Sequence, residues 1–367
     1  MKIPLVDLKA QYLSLKPEID RALKRALNTS SFILGEEVEN FEKEFAVYCG
    51  VKYCLAVNSG TSALHLALLA SGIGKGDEVI TQPNTFIATA EAISYTGARP
   101  VFVDVCLDNY ALDISKIESA ITPRTKAILV VHLYGYPADI IALEKIAKKH
   151  NLMLFEDAAQ AHGVSVKGKK LGSFGKAGCF SFYPGKTLGA YGEAGALVTN
   201  EKKLFEKAMA LRNHGQFEKN NHQLIGYNYR LEGFQGAILR VKLKKLDYWL
   251  EKRRKAAKLY NNLLAEIGVK TPSRDSLKFS NFQYYVIRAR RRDDLKDYLT
   301  KNGVGVAIHY PTSLHLTEAY RFLGYKKGDF PVAEQHAKEI LTLPLYPEIT
   351  KRQISYIVNL IKKFYRG

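Results

Sequence analysis

Between about Val51 and Asn200 the chain alternates short apolar runs with helix-period stretches, and this alternation restricts the fold more than any other feature. Lys52–Val57, Asp77–Thr81, Pro100–Val105, Lys126–Val131 and Asn151–Glu156 read as strands. Thr61–Ala70, Phe86–Tyr95, Leu112–Ile121 and Ile140–His150 read as the helices between them, the last with apolar residues recurring at three and four. Strands separated by helical crossovers imply an α/β domain with a mainly parallel sheet covered on both faces.

The 367 residues are enough for two domains. A proline-free, helix-like stretch from Gly233 to Ile267 could tie a large domain to a smaller one through Phe234, Ala237, Ile238, Val241, Leu243, Leu246, Trp249 and Leu250. Beyond Thr271-Pro272 the pattern predicts a strand at Phe282–Ala289, a helix at Arg292–Asn302, a strand at Gly303–His309 and a closing helix at Lys351–Tyr365. The expected division is 1–245 and 246–367.

Three loops carry chemistry. Asn58-Ser59-Gly60-Thr61-Ser62 lies between a strand and a helix. Small residues at a helix N-terminus let backbone amides approach an anion, although Ser and Thr there also serve as plain caps. Phe155-Glu156-Asp157-Ala158-Ala159-Gln160 puts a carboxylate just past a strand end, where α/β sheets bind ligands. It could hold a protonated ring nitrogen or simply cap a helix. Cys179–Thr187 places Lys186 at a turn after a buried strand. The Gly-Lys-Thr there is not a phosphate-binding P-loop, because the pattern needs Gly where Phe180 stands. The sharper reading is a Schiff-base lysine, which must shed its proton to attack a carbonyl. An anion cradle, a carboxylate for a pyridinium and an amine are together what pyridoxal phosphate requires.

Other classes fare worse. Apolar content of 47% with 25% charged residues excludes a disordered chain. No apolar run is long enough to span a membrane, and the opening MKIPLVDLKAQY shows no secretory leader. Cys49, Cys54, Cys106 and Cys179 lack metal spacing, so reduced thiols in a cytoplasmic protein and no metal are expected. The net charge of +18 raises nucleic-acid binding, but no helix-turn-helix, RRM or zinc pattern accompanies it. The basic runs Lys242–Lys245, Glu251–Lys255 and Arg288–Arg292 are expected to face solvent.

The segments NSGTSALHLAL, PNTFIATAEAI, GARPVFVDV, FEDAAQAHG, SFYPGKTLGAYGEAGALVTN, LRNHGQ and GYNYRLEGFQGAIL resemble the DegT/DnrJ/EryC1/StrS nucleotide-sugar aminotransferases nearly end to end. The resemblance implies a three-layer pyridoxal-phosphate-transferase fold of type I, with a mainly parallel sheet in the large domain and a smaller C-terminal α+β domain. It implies that Lys186 carries pyridoxal 5'-phosphate and then serves as base and acid, and that Asp157 pairs with the ring nitrogen. Phe86 would stack on the ring and Gln160 would sit near its phenolic oxygen. Gly60, Thr61 and Ser181 would hold the phosphate, joined by Asn228 from the neighbouring subunit of a homodimer. The implied reaction moves an amino group from L-glutamate to a nucleotide-linked keto sugar. Lys186 itself argues for transamination over dehydration, since dehydrating relatives carry His there. The stretch around Lys186, with HLYG and Ile308-His309-Tyr310-Pro311, looks most like members acting on 3-keto sugars, with a C4 aminotransferase as the alternative. Tyr183, His309 and Tyr310 would then line the hexose, and Lys219, His222 and Arg230 could meet the diphosphate. Tyr229 and Gly233 depart from many 3-keto members, which bears on the substrate and not on the cofactor.

Overall fold

A computed structural model describes residues 1–265 and 267–366. Strands β1 (Tyr53–Val57), β2 (Glu78–Thr81), β3 (Arg99–Phe102), β4 (Thr125–Val131), β5 (Met153–Asp157), β6 (Ala177–Ser181) and β7 (Gly195–Thr199) form one sheet, ordered β1-β7-β6-β5-β4-β2-β3. Only β7 runs against its neighbours, pairing antiparallel with β1 and β6. In β4, Ile128 and Val130 enter one core while Ala127 and Leu129 enter the other. This period of two, with both sides apolar, is what a sheet covered on both faces requires.

The helices of this part are α1 (Leu8–Asn28), α2 (Glu36–Cys49), α3 (Gly60–Ala70), α4 (Ala88–Tyr95), α5 (Ile140–Lys149), α6 (Lys202–Arg212) and α7 (Gly233–Leu243). One face of the sheet packs Leu55, Leu129, Phe155 and Leu197 against Leu64, Leu68 and Leu211 of α3 and α6. The opposite face packs Ile128, Phe180 and Val198 against Phe41, Phe45, Leu143 and Leu239 of α2, α5 and α7. Truncating a fully buried ring such as Phe155 to Ala would cost about 3–5 kcal/mol. The two layers leave the C-terminal edge of the parallel strands open.

The C-terminal part seats on that edge. It contains α8 (Leu246–Leu264), α9 (Arg292–Lys301), α10 (Pro331–Glu339), α11 (Lys351–Arg366) and the antiparallel pair β10 (Tyr285–Arg288) and β11 (Ile340–Leu343). A short hairpin, β8 (Gln216–Glu218) and β9 (Asn221–His222), precedes it. The core of Tyr260, Tyr285, Leu295, Leu341 and Ile357 also takes in Val131, Leu133 and Tyr134, from the end of β4 and the loop beyond it. The same loop therefore belongs both to the sheet edge and to the C-terminal core.

Several local expectations differ from the fold. Leu112–Ile121 is two 3-10 turns, Ile114–Lys116 and Glu118–Ala120, because Leu112 bridges Val105 and Asp113 caps the first turn through Ser115 N–H. The stretch from Gly233 to Ile267 is two helices that break at Lys244-Lys245. Gly303–His309 is not a strand; Val304 bridges Ile3 and Ala307 bridges Thr342 as isolated contacts, and Gly303 takes a left-handed φ of +79°. The basic runs are not simply solvated. Lys242 is fully buried and donates to Gly189 O at 2.6 Å. Arg253 donates to Phe282 O and Leu345 O, and Arg292 to Ala337 O and Ile340 O, both buried. Arg253 and Arg292 thus each tie two backbone carbonyls together, and carbonyls are the acceptors a buried cation needs.

Candidate active site

Strands β5 and β6 end side by side, with Asp157 registered against Cys179. The loops leaving them line a cavity of about 530 Å³ that also takes residues from α3, α4 and the C-terminal part. It gathers ten of the expected residues: Gly60, Thr61, Phe86, Asp157, Gln160, Ser181, Tyr183, Lys186, His309 and Tyr310.

One wall is the start of α3. Ser59 Oγ accepts from Ser62 N–H at 3.0 Å, and Ser59 O accepts from Ala63 N–H. The N–H groups of Gly60 and Thr61 are left to point outward from the first turn, where the helix also presents partial positive charge. Close packing sets this wall in place. A Cβ on Gly60 would come within 2.7 Å of Ser181 Cβ, and one on Gly195 within 2.3 Å of Ser59 C. Only glycines let the helix start settle against β6 and β7, which makes a concave seat for an anion.

Opposite stands Asp157, the last residue of β5, buried within the cavity wall. It accepts from Thr89 Oγ1 at 2.7 Å and from Ala159 N–H at 3.1 Å. Burial pushes its carboxyl above the usual range, while Thr89, Ala159, Lys186 and His132 pull the other way. A buried carboxylate facing a cavity is a ready partner for a protonated nitrogen, which would return it to the charged state.

Lys186 follows β6 in a turn closed by its own N–H on Tyr183 O at 2.8 Å. Burial draws its ammonium down to about 8, opposed by Asp157. The amine is thus far closer to its neutral, nucleophilic form at neutral pH than a solvated lysine. Gln160 Oε1 accepts from Tyr134 N–H at 2.6 Å, and its Nε2 reaches Tyr310 Oη at 3.4 Å. Phe86 leans on Tyr310 with ring centroids 5.5 Å apart, and Tyr284 stacks on His309 at 3.9 Å. His309 Nδ1 meets Thr342 Oγ1 at 2.9 Å, and burial beside Lys186 lowers the imidazole to about 4.

Four expected residues lie outside this cavity. Asn228 is exposed and bridges Asn213. Arg230 donates to Asn213 Oδ1 at 3.1 Å, and its Nε has no partner. Lys219 and His222 are exposed on the β8–β9 hairpin. Sequence reasoning missed Thr89, Tyr284 and Glu193, all of which line the cavity. Thr85, in the loop before α4, and Thr89, in its first turn, are joined hydroxyl to hydroxyl at 3.0 Å, and the two threonines four apart were the one legible signal.

The residues present fit pyridoxal phosphate: an anion seat at a helix start that glycines let settle against the sheet, a buried carboxylate, and an amine with lowered affinity for its proton. Comparisons agree. The model of the DegT/DnrJ/EryC1/StrS aminotransferase family matches residues 14–362. The chain is 46% identical to a protein of Geobacillus stearothermophilus named a pleiotropic regulatory protein, over 100% of this chain and 99% of that one. It is 43% identical to the UDP-N-acetyl-3-dehydro-alpha-D-glucosamine 3-aminotransferase of Acidithiobacillus ferrooxidans, over 100% and 98%. The crystal structure of Streptomyces venezuelae DesV with a ketimine intermediate is 41% identical, with a TM-score of 0.97 and coverage of 100% and 99%. Among the described residues no helix is long and apolar enough to cross a membrane. Fold, site and relatives agree on a pyridoxal-phosphate-dependent transaminase of fold type I, and the chain belongs to the DegT/DnrJ/EryC1/StrS aminotransferase family.

Proposed function

We propose that this aminotransferase moves the amino group of L-glutamate to C3 of a nucleotide-linked 3-keto hexose. The observation that carries the reading is the single cavity in which the Lys186 amine, the Asp157 carboxylate and the amides of Gly60 and Thr61 converge. Its likeness to a 3-aminotransferase over the whole chain supports the choice of carbon. Bound pyridoxal phosphate supplies an electron sink for the charge left when a proton departs from the carbon bearing the amine.

The chain's own residues do the rest. Gly60, Thr61 and Ser181 seat the phosphate, with Asn228 reaching in from a second copy. Asp157 holds the ring nitrogen protonated, and Thr89 keeps that carboxylate charged and oriented. Phe86 covers the ring face, and Gln160 sits at the phenolic side. Lys186 takes the proton from the donor carbon as a neutral amine and returns it one atom pair away, as a general base and then acid. Tyr183, His309 and Tyr310 line the hexose, and His309 serves there as a neutral imidazole. Lys219, His222 and Arg230 belong to the second copy's site and meet the diphosphate. Residues 1–245 hold the cofactor and 246–367 cover it. Four cysteines without disulfides suit a cytoplasmic setting.

The test is incubation with L-glutamate and matched 3-keto and 4-keto nucleotide sugars, with the new amine located by NMR. An amine at C3 is expected. An amine formed only at C4 would overturn the regiochemistry, and none on either sugar would overturn the substrate class.

A further inference from the structure

The peptide groups on both sides of Lys186 are held by one side chain from the C-terminal part. Gln283 lies just before β10 and is buried. Its Oε1 accepts from Thr187 N–H at 2.7 Å and from Thr187 Oγ1 at 2.9 Å. Its Nε2 donates to Gly185 O at 2.9 Å. Thr187 N–H can only donate and Gly185 O can only accept, so the orientation of the amide is fixed by its partners. Gln283 is itself anchored, since its N–H donates to Asn281 Oδ1 at 2.9 Å and Asn281 Nδ2 donates to His162 O at 3.0 Å.

We infer that Gln283 is a positioning residue that clamps the backbone of Lys186 from both sides, so that the lysine side chain can leave and return while its Cα stays fixed. The inference rests on the reading of Lys186 as the reactive amine. A lysine that must alternate between two bonding states needs a rigid base, because small misplacements of a reacting group are costly. The lysine loop is otherwise held here by the turn from Lys186 N–H to Tyr183 O, by Ala190 N–H on Phe182 O at 2.7 Å across the loop, and farther along by Lys242 on Gly189 O and Gln235 on Tyr191 N–H, none of which touches the peptide after Lys186. No other side chain brackets residue 186 among the described residues. The clamp also links the C-terminal part to the sheet's lysine loop, so a shift of one is felt at the other.

Loosening this clamp lets water reach Lys186, whose lowered proton affinity comes from burial. The ionisable groups facing it are Asp157 at the end of β5, His162 and His309 on the surrounding loops, and Glu193, Tyr183, Tyr284 and Tyr310 on the cavity lining. The experiment follows the rate at which the cofactor-free protein takes up pyridoxal 5'-phosphate by visible absorbance, from pH 6 to pH 10. Gln283→Leu should move the midpoint of the rate upward by about one pH unit, towards that of a solvated lysine. It should also lower kcat about tenfold or more while KM for glutamate changes little. Gln283→Met keeps the length of the side chain, loses both the acceptor for Thr187 and the donor to Gly185 O, adds no charge near Lys186, and should move the midpoint the same way. It covers the case in which the Leu variant does not fold. Unchanged midpoints in folded variants overturn the clamp and leave the function intact. Failure of the parent protein to take up the cofactor at any pH overturns the reading of Lys186 and the clamp with it.

Discussion

The cavity floor and the face formed by residues 213–230 are built in opposite ways. On the floor, the carboxylate and the backbone of the lysine loop have internal partners. Asp157 has Thr89 and Ala159, the Lys186 loop has Gln283 and Lys242, and the start of α3 is seated by Gly195. On the face, Asn228, Lys219 and His222 are exposed, and neither Lys219 nor Arg230 makes an ion pair among the described residues. A floor tied together in this way is rigid before any ligand arrives. The face leaves its cations without carboxylate partners, and under the proposed function it is the part that meets the diphosphate.

Substitutions on the floor should be the more damaging. Lys186→Ala should lower turnover by roughly 10⁴-fold, since the positioned base and acid is lost. Loss of less than tenfold would break the contrast at its centre. Asp157→Ala should lower kcat by roughly 10²–10³-fold, the range for losing one preorganised charge partner. Its effect should appear in kcat before KM. Thr89→Val removes one of two donors to Asp157 and should cost about tenfold. The sign of its pH effect is fixed: with less support the carboxyl rises further, so the acid limb of the rate profile moves to higher pH. A profile that moves down or stays still would detach Thr89 from Asp157.

On the face, effects should be small and salt-sensitive. Arg230→Ala should raise KM for the nucleotide sugar by up to about fivefold with kcat unchanged, and the difference should shrink in high salt. A loss confined to kcat would place Arg230 on the floor side of the comparison. The smallest expected effect is on stability alone. Burial draws Lys242 down to about 7, below its ordinary 10.5. Between those values the unfolded chain binds more protons, so the contribution of Lys242 to stability rises as pH rises above 7. Melting temperature should increase from pH 7 towards about pH 9, and the slope should flatten in Lys242→Met. Equal slopes in the two proteins would count against a buried, proton-poor Lys242.

The contrast also explains how much was legible in the sequence. The Asn58–Ser62, Phe155–Gln160 and Cys179–Thr187 loops each pack their chemistry into a few consecutive residues, and each contributes residues to the cavity lining. The strands of the parallel sheet were legible because β-strands buried on both faces read as unbroken apolar runs. The supports of the site were not. Thr89 meets Asp157 across 68 positions, Lys242 meets Gly189 across 53, and Gln283 meets Thr187 across 96. No local pattern marks such pairs. Lys242, Arg253 and Arg292 misled for the same reason, since a basic run looks solvated until the fold brings carbonyls to one of its members. The 112–121 segment misled because isoleucines at positions 114 and 117 suit a 3-10 turn as well as a helix.

The most direct measurement follows the two half-reactions separately. The cofactor-loaded protein is given L-glutamate alone, and its visible absorbance is recorded while 2-oxoglutarate is counted. The absorbance should change with one 2-oxoglutarate released per site, and a 3-keto nucleotide sugar added next should reverse it. No 2-oxoglutarate, or an equal response from Lys186→Ala, would contradict the assignment of amino transfer to this cavity.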